Sequence, residues 1–521
     1  MFYYCKMLKD FLRWCFLLTT IEFVLASNPC NQRVYSSGIV CVCNATYTDT
    51  IEEVGSLLSG QYVSYLSTKD GLRMRKTSGE FTSSKSTMDS GNTKFTFNPS
   101  MTFQKMIGFG GAITDSAAIS ILSLSESAQN NLLSSYFSKS GSKYNILRVP
   151  IAGTDFSTHP YTYDDKGEDH SGLTNFNLKL EDYILKIPII KQIKEISVQE
   201  LKLFGSAWSA PVYMKTNKNI TGFGFLEKKY YSDWADYHIK FLKAYKDNGI
   251  LFWALTSGNE PGNAFYPQLI NFNSMGWTPW TQKEWIGYHL GPKLEQSGFH
   301  DVLLIGLDDI IIYLPLWMEL IFEDENAKKY IDGIGVHWYF DTKSSISKLQ
   351  DTHDEFPDKF LLYTESSEVL EDSGNIPFGS WTSGQNYIHS IISTVNHWVT
   401  GWIDWNLALN LEGGTNWVNG STDCPIIVNK TSDEFYKQPM YYALAHFSAF
   451  VSPGARRMDI QPQVFGNIET TTFLNPDSSI VIILYNSGDN VESITLIDSN
   501  SLKCLNYQIE KRSFNTIVYQ P

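Results

Sequence analysis

The chain has 521 residues, longer than a single core usually grows, so a barrel of about 250 residues or more with appended domains suits it. Its 43% hydrophobic and 18% charged residues are globular proportions, and 14% aromatic residues are enough to line a sugar-binding cleft. A formal charge of -14, with no Lys/Arg block in the body of the chain, opposes a phosphate backbone and excludes nucleic acid as a partner.

The chain opens with Lys6, Lys9 and Arg13 around an apolar run that ends at the small residues Ala26-Ser27, which reads as a cleaved signal peptide over 1–27. Arg13 and Glu22 interrupt the ~20 apolar residues a membrane span needs, and no later stretch is apolar enough to span. Export implies oxidising conditions, yet Cys30, Cys41, Cys43, Cys424 and Cys504 are an odd number, so at least one thiol stays unpaired. Sequons at Asn44, Asn219, Asn419 and Asn429 agree with the secretory route and are candidate glycosylation sites.

From about residue 101 to 405, apolar runs alternate with amphipathic segments, the α/β pattern of repeated strand-helix units around a parallel sheet. The runs are Met106-Gly110, Tyr144-Val149, Leu201-Gly205, Phe252-Thr256, Val302-Leu307, Ile331-Val336, Phe360-Thr364 and Val399-Ile403, eight in all, which closes a (β/α)8 TIM barrel. Helices are expected over Ser116-Phe137, Glu181-Ile196, Trp234-Lys246, Glu284-Leu294, Leu316-Tyr330 and Ser383-His397, and a surface loop between Pro211 and Tyr231. The flanks, Ser27 to Ser100 and Asn429 to Pro521, carry strand alternation, so an all-β domain built from both chain ends is expected beside the barrel.

Barrel chemistry comes from the carboxyl ends of strands. These ends carry Arg148 and Asp155, Trp208, Asn259-Glu260-Pro261, Asp308-Asp309, His337-Trp338-Tyr339, Glu365, and Trp402, Asp404 and Trp405. Glu260 and Glu365 end the fourth and seventh strands, placing two carboxyls across one mouth. That pair is the machinery of glycoside hydrolysis: one protonated carboxyl serves the leaving oxygen and one ionised carboxylate attacks the anomeric carbon. Asn259 suits a sugar 2-hydroxyl, Asp155 suits two hydroxyls, and Trp208, Trp338, Trp402 and Trp405 offer faces for stacking. Arg148 is placed to keep the nucleophile ionised or to form a buried ion pair. Gly108-Phe109-Gly110-Gly111 lacks the third glycine of a dinucleotide fingerprint, and neither His nor Cys shows metal-ligand spacing, so neither cofactor nor metal is expected.

The strings Phe109-Gly110-Gly111-Ala112-Ile113-Thr114-Asp115, Asn259-Glu260-Pro261, His337-Trp338-Tyr339 and Gly401-Trp402-Ile403-Asp404-Trp405-Asn406-Leu407-Ala408-Leu409-Asn410 resemble the glucocerebrosidases, lysosomal acid β-glucosidases. The resemblance implies a retaining β-glucosidase acting on glucosylceramide, with Glu260 as acid/base and Glu365 as nucleophile. It also implies sugar-site roles for Asp155, Trp208, Asn259 and Trp405, with His337, Tyr339 and Arg148 on the nucleophile side. It further implies a lysosomal location, peripheral contact with a lipid surface and a saposin-like activator. The implied layout is a small antiparallel β subdomain over 28–55 plus 407–438, an immunoglobulin-like β domain over 56–101 plus 455–521, and the barrel over 102–406 plus 439–454. Cys30-Cys41 is the implied disulfide. Thr48 stands where a partner for Cys43 is expected, leaving Cys43 free or bridged to Cys424. Phe265-Tyr266, Tyr313-Leu314 and Trp381 are candidate walls of an apolar aglycone groove. A same-clan glucosidase or glucanase for another glucoside shares the fold and carboxylate pair, and a carbohydrate-binding pseudoenzyme shares the fold alone.

Overall fold

The computed structural model describes residues 27–83, 91–167, 172–268, 270–370 and 375–521. The expected signal peptide lies outside these residues apart from Ser27. Eight parallel strands close into a barrel in chain order: β1 (Gly108–Ala112), β2 (Ile146–Ile151), β3 (Lys202–Ala207), β4 (Ala254–Thr256), β5 (Leu303–Ile310), β6 (Gly333–His337), β7 (Phe360–Glu365) and β8 (Val399–Asn406). All eight apolar runs are strands. The β8–β1 seam pairs Gly401 with Gly108, and a Cβ on Gly401 would sit 2.3 Å from the Gly108 carbonyl oxygen. The glycine run set aside as a nucleotide fingerprint therefore serves close strand approach. Ile146, Phe204, Ala254, Ile305, Leu362 and Ile403 fill the barrel interior. Ile305→Ala is expected to cost about 2–5 kcal/mol by opening a cavity there, measurable as a lower denaturant midpoint; an unchanged midpoint would contradict that packing.

The helices differ in places from what the periodicity predicts. The segment read as one helix over Ser116-Phe137 is two, Asp115–Leu122 and Glu126–Phe137, because Ser123 Oγ turns back to the Ser120 carbonyl at 2.7 Å and Ser125 leaves the helical path to donate through its N–H and Oγ to the Asp433 carboxylate. The Glu284-Leu294 reading lies inside one continuous helical run, 279–296, which widens to a π-helical turn over Ile286–Leu290 just before Pro292, whose missing N–H cannot continue the regular ladder. Ser347–Glu355 is a helix that the apolar pattern missed, since it buries only Leu349 and Thr352. The 211–231 loop lies partly inward, with Met214, Lys215, Leu226 and Tyr230 buried.

Both chain ends join in sheets. A five-stranded sheet runs Gln32–Tyr35, Gly38–Asn44, Glu434–Lys437, Ile426–Asn429, Leu409–Asn410. A ten-stranded assembly includes Gln61–Thr68, Arg75–Glu80 and Thr93–Lys105 from the front of the chain and strands from Arg456 to Tyr519 from its end. Its strand Ile480–Asn486 is buried on both faces: Ile480, Ile482 and Leu484 face the β domain's own core, while Val481, Ile483 and Tyr485 join the core shared with the barrel. That two-sided burial fuses the β domain to the barrel. Cys30 and Cys41 form a disulfide with Cα atoms 5.1 Å apart. The Cys43–Cys424 bridge is absent: Cys43 Sγ donates to Asp49 Oδ1 at 3.3 Å, and Cys424 Sγ donates to the Ile426 carbonyl at 3.0 Å. Each thiol is satisfied within its own strand neighbourhood. Among the described residues no helix is long and apolar enough to cross a membrane.

Candidate active site

The chain leaves β4 through Ser257 and Gly258 to Asn259 and Glu260, and Glu260 takes a left-handed φ of +44°. Leu307 and Asp308, in β5, are left-handed too, at +64° and +62°. Non-glycine residues there cost about 1–3 kcal/mol each unless surroundings hold them. The Glu260 N–H donates to the Asp308 carbonyl at 2.9 Å, locking the two turns together, and the Asn259 N–H donates to Ala207 O at 2.9 Å. Glu365 ends β7 paired with His337 just past a β-bulge, where the register shifts by one residue at Thr364. The two glutamates are 9% and 5% exposed. One carboxylate oxygen from each lies within 4.8 Å of the other and of an imidazole nitrogen of His337.

A buried charge network fixes both. Arg148, 0% exposed, donates through Nη1 to Glu365 Oε2, and through Nη2 to Asp308 Oδ2 at 2.9 Å and Asn259 Oδ1 at 2.8 Å. Tyr339 Oη donates to Glu365 Oε1 at 2.7 Å. His337 bridges Glu260 Oε1, 3.0 Å from Nδ1, and Asp308 Oδ1, 3.1 Å from Nε2. Burial disfavours its cation, but Glu365, Asp308 and Glu260 lift the His337 pKa to about 10. An imidazolium has no lone pair free, so although Glu260, His337 and Glu365 have the spacing of a metal cluster, His337 is a poor ligand. Burial opposes ionisation of Asp308, yet Arg148 and His337 hold it well below the usual carboxylate range. Burial pushes Glu365 up, with His337 and Arg148 pulling back.

Above the network lies a cavity of about 480 Å³ lined by Asp155, Trp208, Asn259, Glu260, Tyr339, Glu365 and Trp405, closed at the sides by Phe272 and the 416–422 loop. Trp208 and Trp405 stack with ring centroids 5.0 Å apart, and the Arg148 guanidinium sits 5.0 and 5.3 Å from them. Asn416 Nδ2 donates to Asp155 Oδ2 at 3.1 Å. Since Asn259 Oδ1 is taken by Arg148, its amide nitrogen is the group presented to a ligand.

The sequence reasoning and the structure differ over several side chains. Arg148 and His337 do not line the cavity; they act on it through the carboxylates they hold. Trp402 is buried against Tyr387 at 4.9 Å, and Asp404 accepts from Tyr387 Oη at 2.5 Å, both away from the cavity. Trp338 borders a neighbouring groove instead. Trp381 is no groove wall: it is 4% exposed and stacks on Phe514 at 4.2 Å. Leu314 is buried, while Phe265 and Tyr266 are 43% and 47% exposed. Sequence reasoning assigned no role to Asp308, although it stood at a strand end, and missed Ser206, which donates to Asp308 Oδ2 at 2.7 Å, and Asn416, which comes from a distant loop.

Burial first, and then Glu365 and Glu260, push Asp155 up to about 7; burial and Glu260 do the same to Asp309. Between about pH 4 and 7 the folded protein therefore keeps protons that unfolded carboxyls lose, and between about 6.5 and 10 it keeps the one on His337. Asp155, Asp309 and His337 all make stability fall as pH rises. Asp308 acts oppositely in acid below its unfolded range, and buried His238 and His446, lowered by burial to about 4 and 3, oppose the trend up to about pH 6.5. Burial also raises Asp341 to about 7 and Asp423 to about 8, so the raised groups outweigh them. The melting temperature is expected to be higher at about pH 5 than at about pH 8; the reverse order would contradict these protonation states.

A closed parallel barrel with two facing carboxyls at its carboxyl-end mouth is the architecture of a glycoside hydrolase. The description "Glycosyl hydrolase family 30 TIM-barrel domain" matches residues 106–451, and "Glycosyl hydrolase family 30 beta sandwich domain" matches 454–517. The chain is 41% identical to the lysosomal acid glucosylceramidase of Mus musculus over 93% of this chain and 94% of that one. It is 39% identical to putative glucosylceramidase 3 of Caenorhabditis elegans over 97% and 98%. The solved structure of SrfJ from Salmonella typhimurium, 28% identical, superposes with a TM-score of 0.81 over 89% of this chain and 100% of that one. The chain belongs to glycosyl hydrolase family 30 and, within it, to the glucocerebrosidases that its motifs resemble.

Proposed function

We propose that this protein is a retaining β-glucosidase that hydrolyses glucosylceramide to glucose and ceramide. The observation that carries the retaining mechanism is the approach of Glu260 and Glu365 oxygens within 4.8 Å. Retaining pairs stand about 5–5.5 Å apart, whereas inverting pairs need about 6.5–9.5 Å to admit a water. Glu365 is the nucleophile, because Arg148 and Tyr339 each donate to one of its oxygens and so favour the carboxylate. Glu260, on the facing strand end, protonates the glycosidic oxygen as Glu365 attacks the anomeric carbon. Ceramide leaves, Glu260 then takes a proton from water, and that water opens the glucosyl ester. Asn259 Nδ2 faces the 2-hydroxyl, protonated Asp155 bonds two others, donating to one and accepting from the other, and Trp208 and Trp405 face the ring's apolar side.

The lipid substrate is supported by the similarity to glucosylceramidases and by the exposed apolar side chains Phe223, Phe265, Tyr266, Ile312, Phe340 and Val369. Val369 lines the catalytic cavity, and Phe265 and Tyr266 follow Glu260 closely in the chain. A lysosomal site of action reached through the secretory route, peripheral attachment to a lipid surface and a saposin-like activator are the remaining parts of this reading. Release of glucose and ceramide from glucosylceramide in detergent micelles, with more turnover at acid than neutral pH, is the expected result. Turnover of a soluble aryl β-glucoside alone would sink the lipid substrate and keep the glycosidase.

A further inference from the structure

The 416–422 loop, which lines the cavity, is tied to the sugar site by its own polar atoms. Trp417 N–H donates to the Asp155 carbonyl at 3.1 Å and Trp417 Nε1 to the Thr154 carbonyl at 3.0 Å, while Asn416 Nδ2 holds the Asp155 carboxyl. Asn416 Oδ1 accepts from the N–H groups of Val418 at 2.9 Å and Gly420 at 3.2 Å, which rounds the loop into a tight turn. Asn419 sits at the crest of that turn, exposed, with φ +60°, a conformation asparagine tolerates better than most residues. It also starts the sequon Asn419-Gly420-Ser421, and Asn419, Gly420 and Ser421 all border the catalytic cavity. None of the other sequon asparagines, Asn44, Asn219 and Asn429, borders it.

We propose that Asn419 is N-glycosylated and that its glycan stands at the mouth of the catalytic cavity, where it restricts entry of bulky aglycones more than small ones. This rests on the secretory route and the β-glucosidase reading above. The donor is an oligosaccharide linked through diphosphate to a polyprenyl lipid. Asn419 Nδ2 forms the bond to the anomeric carbon, the anomeric C–O bond breaks with its electron pair leaving on the diphosphate, and one amide proton is released. Because the loop is anchored to the backbone and carboxyl of Asp155, the attached sugars cannot swing away with a free segment. They share the rim with the sugar site itself.

The test is glycopeptide mapping of the full chain secreted from a eukaryotic host, followed by kcat/KM on glucosylceramide and on a small aryl β-glucoside. Wild type, Asn419→Gln and Ser421→Ala are compared, since the two substitutions delete one sequon by different atoms. Asn419 is expected to carry a glycan, and both variants are expected to raise the lipid-to-aryl ratio of kcat/KM several-fold. A bare Asn419 beside glycans at any of the other three sequons would overturn the site alone; four bare sequons would overturn the secretory route with it. An occupied Asn419 with an unchanged ratio, or a change in Asn419→Gln only, would overturn the gate. Absence of turnover on both substrates would remove the β-glucosidase reading and leave the gate nothing to control.

Discussion

Glu365→Gln is expected to lower kcat on every β-glucoside by about 10⁴-fold or more, because an amide cannot form the glucosyl ester and no second carboxylate replaces it at β7. The substitution keeps the side-chain shape, and Arg148 retains Asp308 as its anion, so the fold should survive. Rates with an aryl glucoside and a melting curve check both points. Retained activity within a factor of ten of wild type would refute the nucleophile assignment, while an inactive protein with a collapsed melting temperature would decide nothing about chemistry, so Glu365→Asp, which keeps the charge, accompanies it.

Glu260→Gln is expected to have an effect that depends on the leaving group. Ceramide departs as a poor alkoxide and needs the proton, so its hydrolysis should fall about 10²–10⁴-fold. A dinitrophenyl glucoside departs without protonation, so its first step should stay fast and the glucosyl-enzyme should accumulate as a burst. A small anionic nucleophile such as azide, which needs no general base, should then restore turnover. Equal loss on both substrates with no burst would mean that Glu260 positions substrate instead of moving the proton.

Much of this site is visible in one dimension. The eight strands follow from short apolar runs buried on two sides, and strand-end rules then place Glu260 and Glu365 on one mouth. The aromatic residues were harder. Trp208, Trp402 and Trp405 all stand at strand ends, but Trp405 faces the cavity and Trp402, three positions earlier on the same strand, faces the helix side. Side chains alternate along a strand, so a one-residue uncertainty in phase reverses the answer. The same holds for Asp404, which lies between them and turns into the core.

Sequence alone determined the elements, the types of reactive group and the strand ends that carry them, because periodicity and turn chemistry are local properties. Only the tertiary structure decided the partnerships. Arg148 meets Glu365 across 217 positions of sequence and Asp308 across 160, and Asn416 meets Asp155 across 261. It likewise decided that Cys43 and Cys424 are satisfied apart, that Trp381 belongs to the β domain interface, and that the loop bearing Asn419 closes the cavity. Each of these depends on which distant surfaces exclude water together, and burial is a property of the assembled chain that no short window of residues contains.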